Sequence, residues 1–182
     1  MSEILEIAEL GHPVLREVSA PVSNIGDESV SIFIDNLVAT CIHSNGVGIA
    51  APQVYEPERI FIISSRPNER YPNAPELGPL AVINPEILEY SRDIEKDWEG
   101  CLSIPGIRGL VPRHKSVAVS YTTVKGQIEE MEFTDFVARI FQHELDHLNG
   151  TVFLDRLESN KDIITEKEYR KLLESPLKGV KK

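Results

Sequence analysis

The chain has 182 residues and a formal net charge of −10. That length favours one domain over residues 1–182 with enough chain for a real core, and the acidic balance excludes a generic polyanion binder and argues against sequence-specific nucleic-acid binding. The acidic start, Met1 to Ile7, carries no secretory signal, Arg-rich transit segment or membrane span, so a cytoplasmic location without a membrane partner is expected.

Residues 3–9 alternate loosely and predict a short edge strand, followed by a turn at Gly11-His12-Pro13 and a helical turn through Val14-Leu15-Arg16. His12 reads as a surface turn residue. Residues 28–44 predict the first long helix, because Val30, Phe33, Ile34, Leu37, Val38 and Cys41 recur at three- and four-residue spacing. Cys41 then reads as a buried small hydrophobe and His43 as a solvated residue at a frayed end. Neither Cys41 nor Cys101 is expected to form a structural disulfide in a cytosolic chain.

Gly46-Val47-Gly48-Ile49-Ala50-Ala51-Pro52-Gln53 is rich in small residues and ends on an amide. It lacks the Lys-Ser/Thr of a P-loop, so the residues alone point to a close-packed turn. Arg59 to Ser64 predicts a buried strand, and the prolines and glycine of 66–79 predict an extended surface loop. Leu80 to Tyr90 predicts a strand interrupted at Asn84-Pro85, and Asp93 to Asp97 an exposed polar stretch. Cys101 follows a glycine and precedes a proline-bounded turn, so it need not belong to a core. Ile107 to Val111, Ser116 to Val124 and Ile128 to Phe133 predict short strands, with a turn at Gly126-Gln127.

Gln142-His143-Glu144-Leu145-Asp146-His147 carries the pattern H-E-x-x-H. On a helix, residues four apart share a face, so His143 and His147 can aim two imidazoles at one ion. Glu144 is turned roughly 100° from His143 and suits a base acting on water beside that ion. Thr134 and Asp135 offer an N-cap, the apolar residues from Phe136 to Leu148 recur at helical spacing, and Gly150 offers a stop. Two hydrogen-bonded core histidines are the alternative. Thr151 to Leu154 predicts an extended piece, and 161–174 a charged helix closed by Ser175-Pro176. Residues 161–182 hold seven Lys/Arg against four Asp/Glu and read as a peripheral segment with a solvated tail at Lys178, Lys181 and Lys182. The layout predicts an α+β fold, with mostly antiparallel short-stranded sheets around a central metal-binding helix, flanked by an N-terminal and a C-terminal helix.

A catalytic centre of this kind takes three protein ligands and keeps one position open. A metzincin would need a third histidine where Phe153 stands, and Glu166, Glu168 and Glu174 sit in the peripheral segment, which leaves Cys101 as the candidate. His114 reads as a surface residue.

The chain resembles the peptide deformylase family. Its three motifs stand in order as Gly46 to Gln53, Glu99-Gly100-Cys101-Leu102-Ser103 and Gln142 to His147, with Ile49 and Pro52 as mild departures, and the likeness spans about residues 4–157. The resemblance implies removal of the formyl group from the N-terminal methionine of new polypeptides by a metal-bound hydroxide. It implies Cys101, His143 and His147 as metal ligands, with Fe(II) as the native ion and Zn, Ni or Co as substitutes. Glu144 becomes general base and then acid, while Gln53 and the Leu102 N–H donate to the formyl oxygen. Gly48 is implied to bond the substrate backbone and Arg108 to face the bound peptide. Val47, Ile140 and His143 are expected around the methionine side chain. The implied partners are N-formylmethionyl nascent peptides and the ribosome from which they emerge, a contact that the sequence leaves open for 161–182. Another class of zinc metallopeptidase, or a non-catalytic metal-stabilised module, are the competing readings.

Overall fold

The computed structural model describes residues 2–174, so the expected Ser175-Pro176 stop and the lysine tail lie outside the described residues. Strands β1 (Gly48–Ala50), β2 (Ile60–Ile63) and β3 (Leu80–Tyr90) precede β4 (Ile94–Cys101) and β5 (Ile104–His114). β6 (Ser116–Thr122), β7 (Ile128–Thr134) and the short β8 (Ile163–Thr165) follow. Helices are α1 (Glu28–His43), α2 (Asp135–Leu148) and α3 (Glu166–Glu174). Five strands form one antiparallel sheet in the order β1-β2-β3-β6-β7, and three form a second in the order β4-β5-β8. This is the expected α+β architecture around one central helix.

The larger sheet is buried on both faces where it matters. In β2, Phe61 and Ile63 point to the cluster that holds Ala138, Phe141 and Leu148 of α2, while Ile60 and Ile62 point to the cluster that holds Ile34, Leu37 and Cys41 of α1. That is why the stretch reads as an unbroken apolar run. β6 instead alternates strictly, with Val117, Val119 and Tyr121 inward, because only one of its faces meets the core. A third cluster, with Cys101, Ile104, Val111, Val152 and Phe153, fills the space beneath the smaller sheet.

Several segments depart from their sequence pattern. Residues 3–9 pair with no strand; Leu5 N–H donates to Thr40 Oγ1 at 2.9 Å and Ala8 N–H to the Gln53 carbonyl at 2.8 Å, so single bonds tie the segment down instead of a ladder. Asp93 to Asp97 is largely strand: Ile94, Glu95, Lys96 and Asp97 are exposed yet pair with β5, as charged edge strands do. Asn84-Pro85 does not end β3 but makes a bulge, with Asn84 at φ 49° and its side chain bonded to both backbone groups of Val22 at 2.9 Å. The extended piece expected at 151–154 becomes a 3-10 turn over Phe153–Arg156. His114 is half-buried, with Nδ1 2.7 Å from the Ser91 carbonyl and its ring against Tyr90.

The central helix ends where the sequence says it should. Gly150 has φ 68°, and a Cβ there would stand 2.6 Å from the Arg16 carbonyl oxygen, so no other residue fits. At the other end Thr134 is the N-cap but its side chain makes no capping bond, and Asp135 sits at φ 50°, its N–H bonded to the Lys115 carbonyl at 2.7 Å.

Candidate metal centre

The centre forms where α2 passes between the two sheets. His143 and His147 project from the same helical face, their ring centroids 5.1 Å apart. The β4–β5 hairpin brings Cys101 to them: its Sγ lies 3.2 Å from His147 Nε2. One ligand atom from each of Cys101, His143 and His147 lies within 4.8 Å of the others, and all three residues are buried. This trio is the one the sequence motifs anticipate. Among the described residues no fourth protein ligand joins them, so a closed structural shell is not formed.

Of the two histidines, His143 is held from behind, whereas His147 Nδ1 is buried with no hydrogen-bond partner among the described residues. His143 Nδ1 stands 2.8 Å from Glu99 Oε2, which turns Nε2 toward the other two ligands. Glu99 is itself buried, and accepts from Arg113 at 2.9 and 3.0 Å and from Arg139 at 2.9 Å. Burial alone would raise its pKa, but Arg113 and His143 hold it well below the usual carboxylate range. Arg113 also donates to Asp146 at 2.6 Å, and Asp146 accepts from Arg156 at 2.6 Å. An ionic chain, buried from Arg139 through Glu99 and Arg113 to Asp146 and ending on the exposed Arg156, thus fixes α2 against both strands of the hairpin.

The trio has the chemistry of a cation site. Burial opposes the Cys101 thiolate, yet His147 and His143 hold its pKa well below the usual thiol range. His143 is pushed well above the usual imidazole value by Cys101 and Glu99, against the cost of its own burial. Positive charge is therefore favoured between these groups. A thiolate with two imidazoles suits a first-row divalent ion.

Glu144 stands beside the trio, buried, with Oε2 lacking any hydrogen-bond partner in the described residues. Burial first, then Cys101 and Glu99, push its pKa up to about 7 against the pull of His143 and His147. Its neighbour is Gly48, where a Cβ would fall 2.4 Å from Glu144 Oε1. The glycine is required by that close approach rather than by backbone angle. Gln53, also buried, has its amide orientation fixed: Oε1 accepts from Ala50 N–H at 2.9 Å, so Nε2 points to Cys101 Sγ at 3.3 Å and Ser103 Oγ at 3.1 Å.

The cleft above the trio is lined by Val47, Gly48, Leu102 and Ile140 from the anticipated set, and also by Tyr71 and Trp98. Arg108 is placed differently. Its side chain is fully buried below the rim, bonded to Glu166 and to the Arg70 carbonyl, and does not line the cleft. The 66–79 loop is not simply a surface excursion, since Ala74 is buried and Tyr71 forms cleft wall. Sequence reasoning missed Glu99 as an anchor, although a signal existed: it shares strand parity with Cys101, and both fall on the buried face of β4. A buried acid demands cationic partners.

A buried Cys-His-His donor set, a carboxylate without a partner among the described residues beside it and an adjoining cleft fit the class of metal-dependent hydrolases. The profile of the polypeptide deformylase family matches residues 4–162. The chain is 56% identical over 171 residues to "Peptide deformylase 2" from Nostoc sp., covering 94% of this chain and 96% of that protein. It is 41% identical to the peptide deformylase of Thermotoga neapolitana over 91% of this chain and 94% of that one. A class I type b peptide deformylase from Acinetobacter baumannii, solved with Met-Ala-Ser bound, superposes with a TM-score of 0.84 at 46% identity, covering 86% of this chain and all of that one. The chain belongs to the polypeptide deformylase family.

Proposed function

We infer that this protein, acting as one domain, removes the N-formyl group from the N-terminal methionine of newly made polypeptides, releasing formate and a free amine. The observation that carries the reading is the buried Cys101, His143 and His147 group with Glu144 beside it, in a chain that matches the family over nearly its whole length.

Cys101, His143 and His147 would hold the ion, which we propose is Fe(II), with Zn, Ni or Co able to replace it. When bound, such an ion supplies Lewis acidity and lowers the pKa of water from ~15.7 toward ~7. Glu144 takes the proton from the attacking water and passes it to the leaving nitrogen as the C–N bond breaks. A carboxyl group held up to about 7 by burial is suited to both halves of that transfer. Gln53 Nε2, locked in orientation by Ala50, and the Leu102 N–H donate to the formyl oxygen as charge develops there. One such donor is typically worth ~10²–10³ in turnover. Val47 and Ile140 give the methionine side chain an apolar wall, and Gly48 lets the substrate backbone approach Glu144 closely.

No described helix is long and apolar enough to cross a membrane. We place the protein in the cytoplasm, where formylated chains are made, and the ribosome as the place of encounter. Formate release from formyl-Met-Ala by anaerobically purified protein, with metal content assayed alongside, tests the reading. Formate should appear in proportion to bound metal and internal peptide bonds should stay intact. Metal-loaded protein that cuts internal bonds without releasing formate would overturn it.

A further inference from the structure

The short strand β8 pairs with β5 in the register Ile107↔Thr165, Arg108↔Ile164 and Gly109↔Ile163. That register delivers Glu166, the first residue of α3, to Arg108. Arg108 Nε donates to Glu166 Oε2 at 2.7 Å, and Nη2 donates to Glu166 Oε1 at 3.3 Å and to the Arg70 carbonyl at 3.2 Å. The guanidinium is also held between two rings, Tyr71 at 4.7 Å and Tyr169 at 4.3 Å. Tyr71 passes the contact on: its hydroxyl accepts from the Gly100 N–H at 3.2 Å, one residue before Cys101, and its ring lies 5.1 Å from Phe136 in α2.

We propose that Arg108 and Glu166 are positioning residues, through which the C-terminal segment holds Arg70 and Tyr71 as the rim of the cleft and so sets affinity for the peptide beyond the formylmethionine. The proposal rests on the deformylase reading and deepens it. The 66–79 loop has no regular element of its own, so its place at the cleft comes from its anchors. Without the Glu166 carboxylate, a fully buried guanidinium keeps one carbonyl, and its Nη1 already has no partner among the described residues. A buried cation so poorly matched is driven toward water, and leaving the pocket would take it off the Tyr71 ring.

The test uses the full, metal-loaded chain with Glu166→Gln and Glu166→Asp. Glu166→Gln should raise KM for formyl-Met-Ala-Ser roughly tenfold, with kcat within about twofold, and Glu166→Asp should restore most of the loss. Trp98 gives a readout independent of turnover. It is the chain's single tryptophan, lines the cleft and lies 6.0 Å from Tyr169, so acrylamide quenching should rise in Glu166→Gln. A KM within about twofold of wild type overturns the proposal whatever happens to thermal stability, as does a raised KM that Glu166→Asp fails to restore. If wild-type protein releases no formate, the deformylase reading falls by itself. In that case quenching decides whether the clasp exists, and an unchanged value removes it.

Discussion

Glu99→Gln should weaken the protein and its metal site together. The substitution keeps the shape of the side chain and removes its charge. Glu99 holds Arg113, Arg139 and His143 at 2.8–3.0 Å in a buried setting, and two guanidinium groups would be left short of a counter-charge. Breaking one partner out of a buried ionic pair costs ~3–5 kcal/mol, and the lower end applies because glutamine still accepts one hydrogen bond. In a chain of this size ~3 kcal/mol corresponds to a fall in Tm of roughly 6–12 °C. The tautomer of His143 also loses its guide, and such outer-shell losses reduce metal affinity ~10–100-fold. Thermal unfolding of metal-free protein measures the first effect, and competition with a chromophoric chelator the second. The pH dependence has a definite sign. Because the folded pKa is depressed, the carboxylate's contribution is full above its unfolded value of ~4.3 and is lost as pH falls toward the folded value. The gap between wild type and variant should therefore be complete at neutral pH and close only in acid. A metal-free Tm within about 2 °C of wild type, with metal affinity within about twofold, would refute the account.

Glu144→Ala should retain the metal within a few-fold and lose at least ~10²-fold in kcat, measured as formate release; near-normal turnover with metal bound would contradict its role. Wild-type kcat/KM should fall on acidification, because the base must be ionised. Burial holds Glu144 up to about 7 and a cation on the neighbouring ligands pulls it down, so the acid limb should lie below about 7. A rate that climbs between about pH 7 and about pH 5 would exclude this base. Gly48→Ala places a Cβ 2.4 Å from Glu144 Oε1 and 2.9 Å from Ile140 Cγ2, so turnover should collapse while far-UV circular dichroism stays native; full activity would show that the close approach is not needed. Formyl-norleucyl peptides should be processed nearly as well as formyl-methionyl ones and formyl-aspartyl peptides poorly, because the Val47–Ile140 wall offers an anion nothing. Equal kcat/KM for aspartyl and methionyl substrates would sink that assignment.

The chain order alone determined what depends on short spacing. Helical geometry puts His143 and His147 on one face, period-two alternation orients β6, the unbroken apolar run of β2 announces burial on both faces, and Gly150 stops α2. The motif resemblance anticipated Cys101, and the structure brings its sulfur to the two imidazoles. Tertiary structure decided how buried charges are satisfied. Nothing local pairs Glu99 with His143, 44 positions away, or Arg108 with Glu166, 58 positions away, and that second pairing takes Arg108 under the rim. It likewise made Ile94 to Asp97 strand, because edge pairing can override a polar pattern. The physical reason is one of range. Backbone periodicity is set by neighbours a few residues apart, whereas a desolvated charge takes whichever partner the folded chain brings within reach.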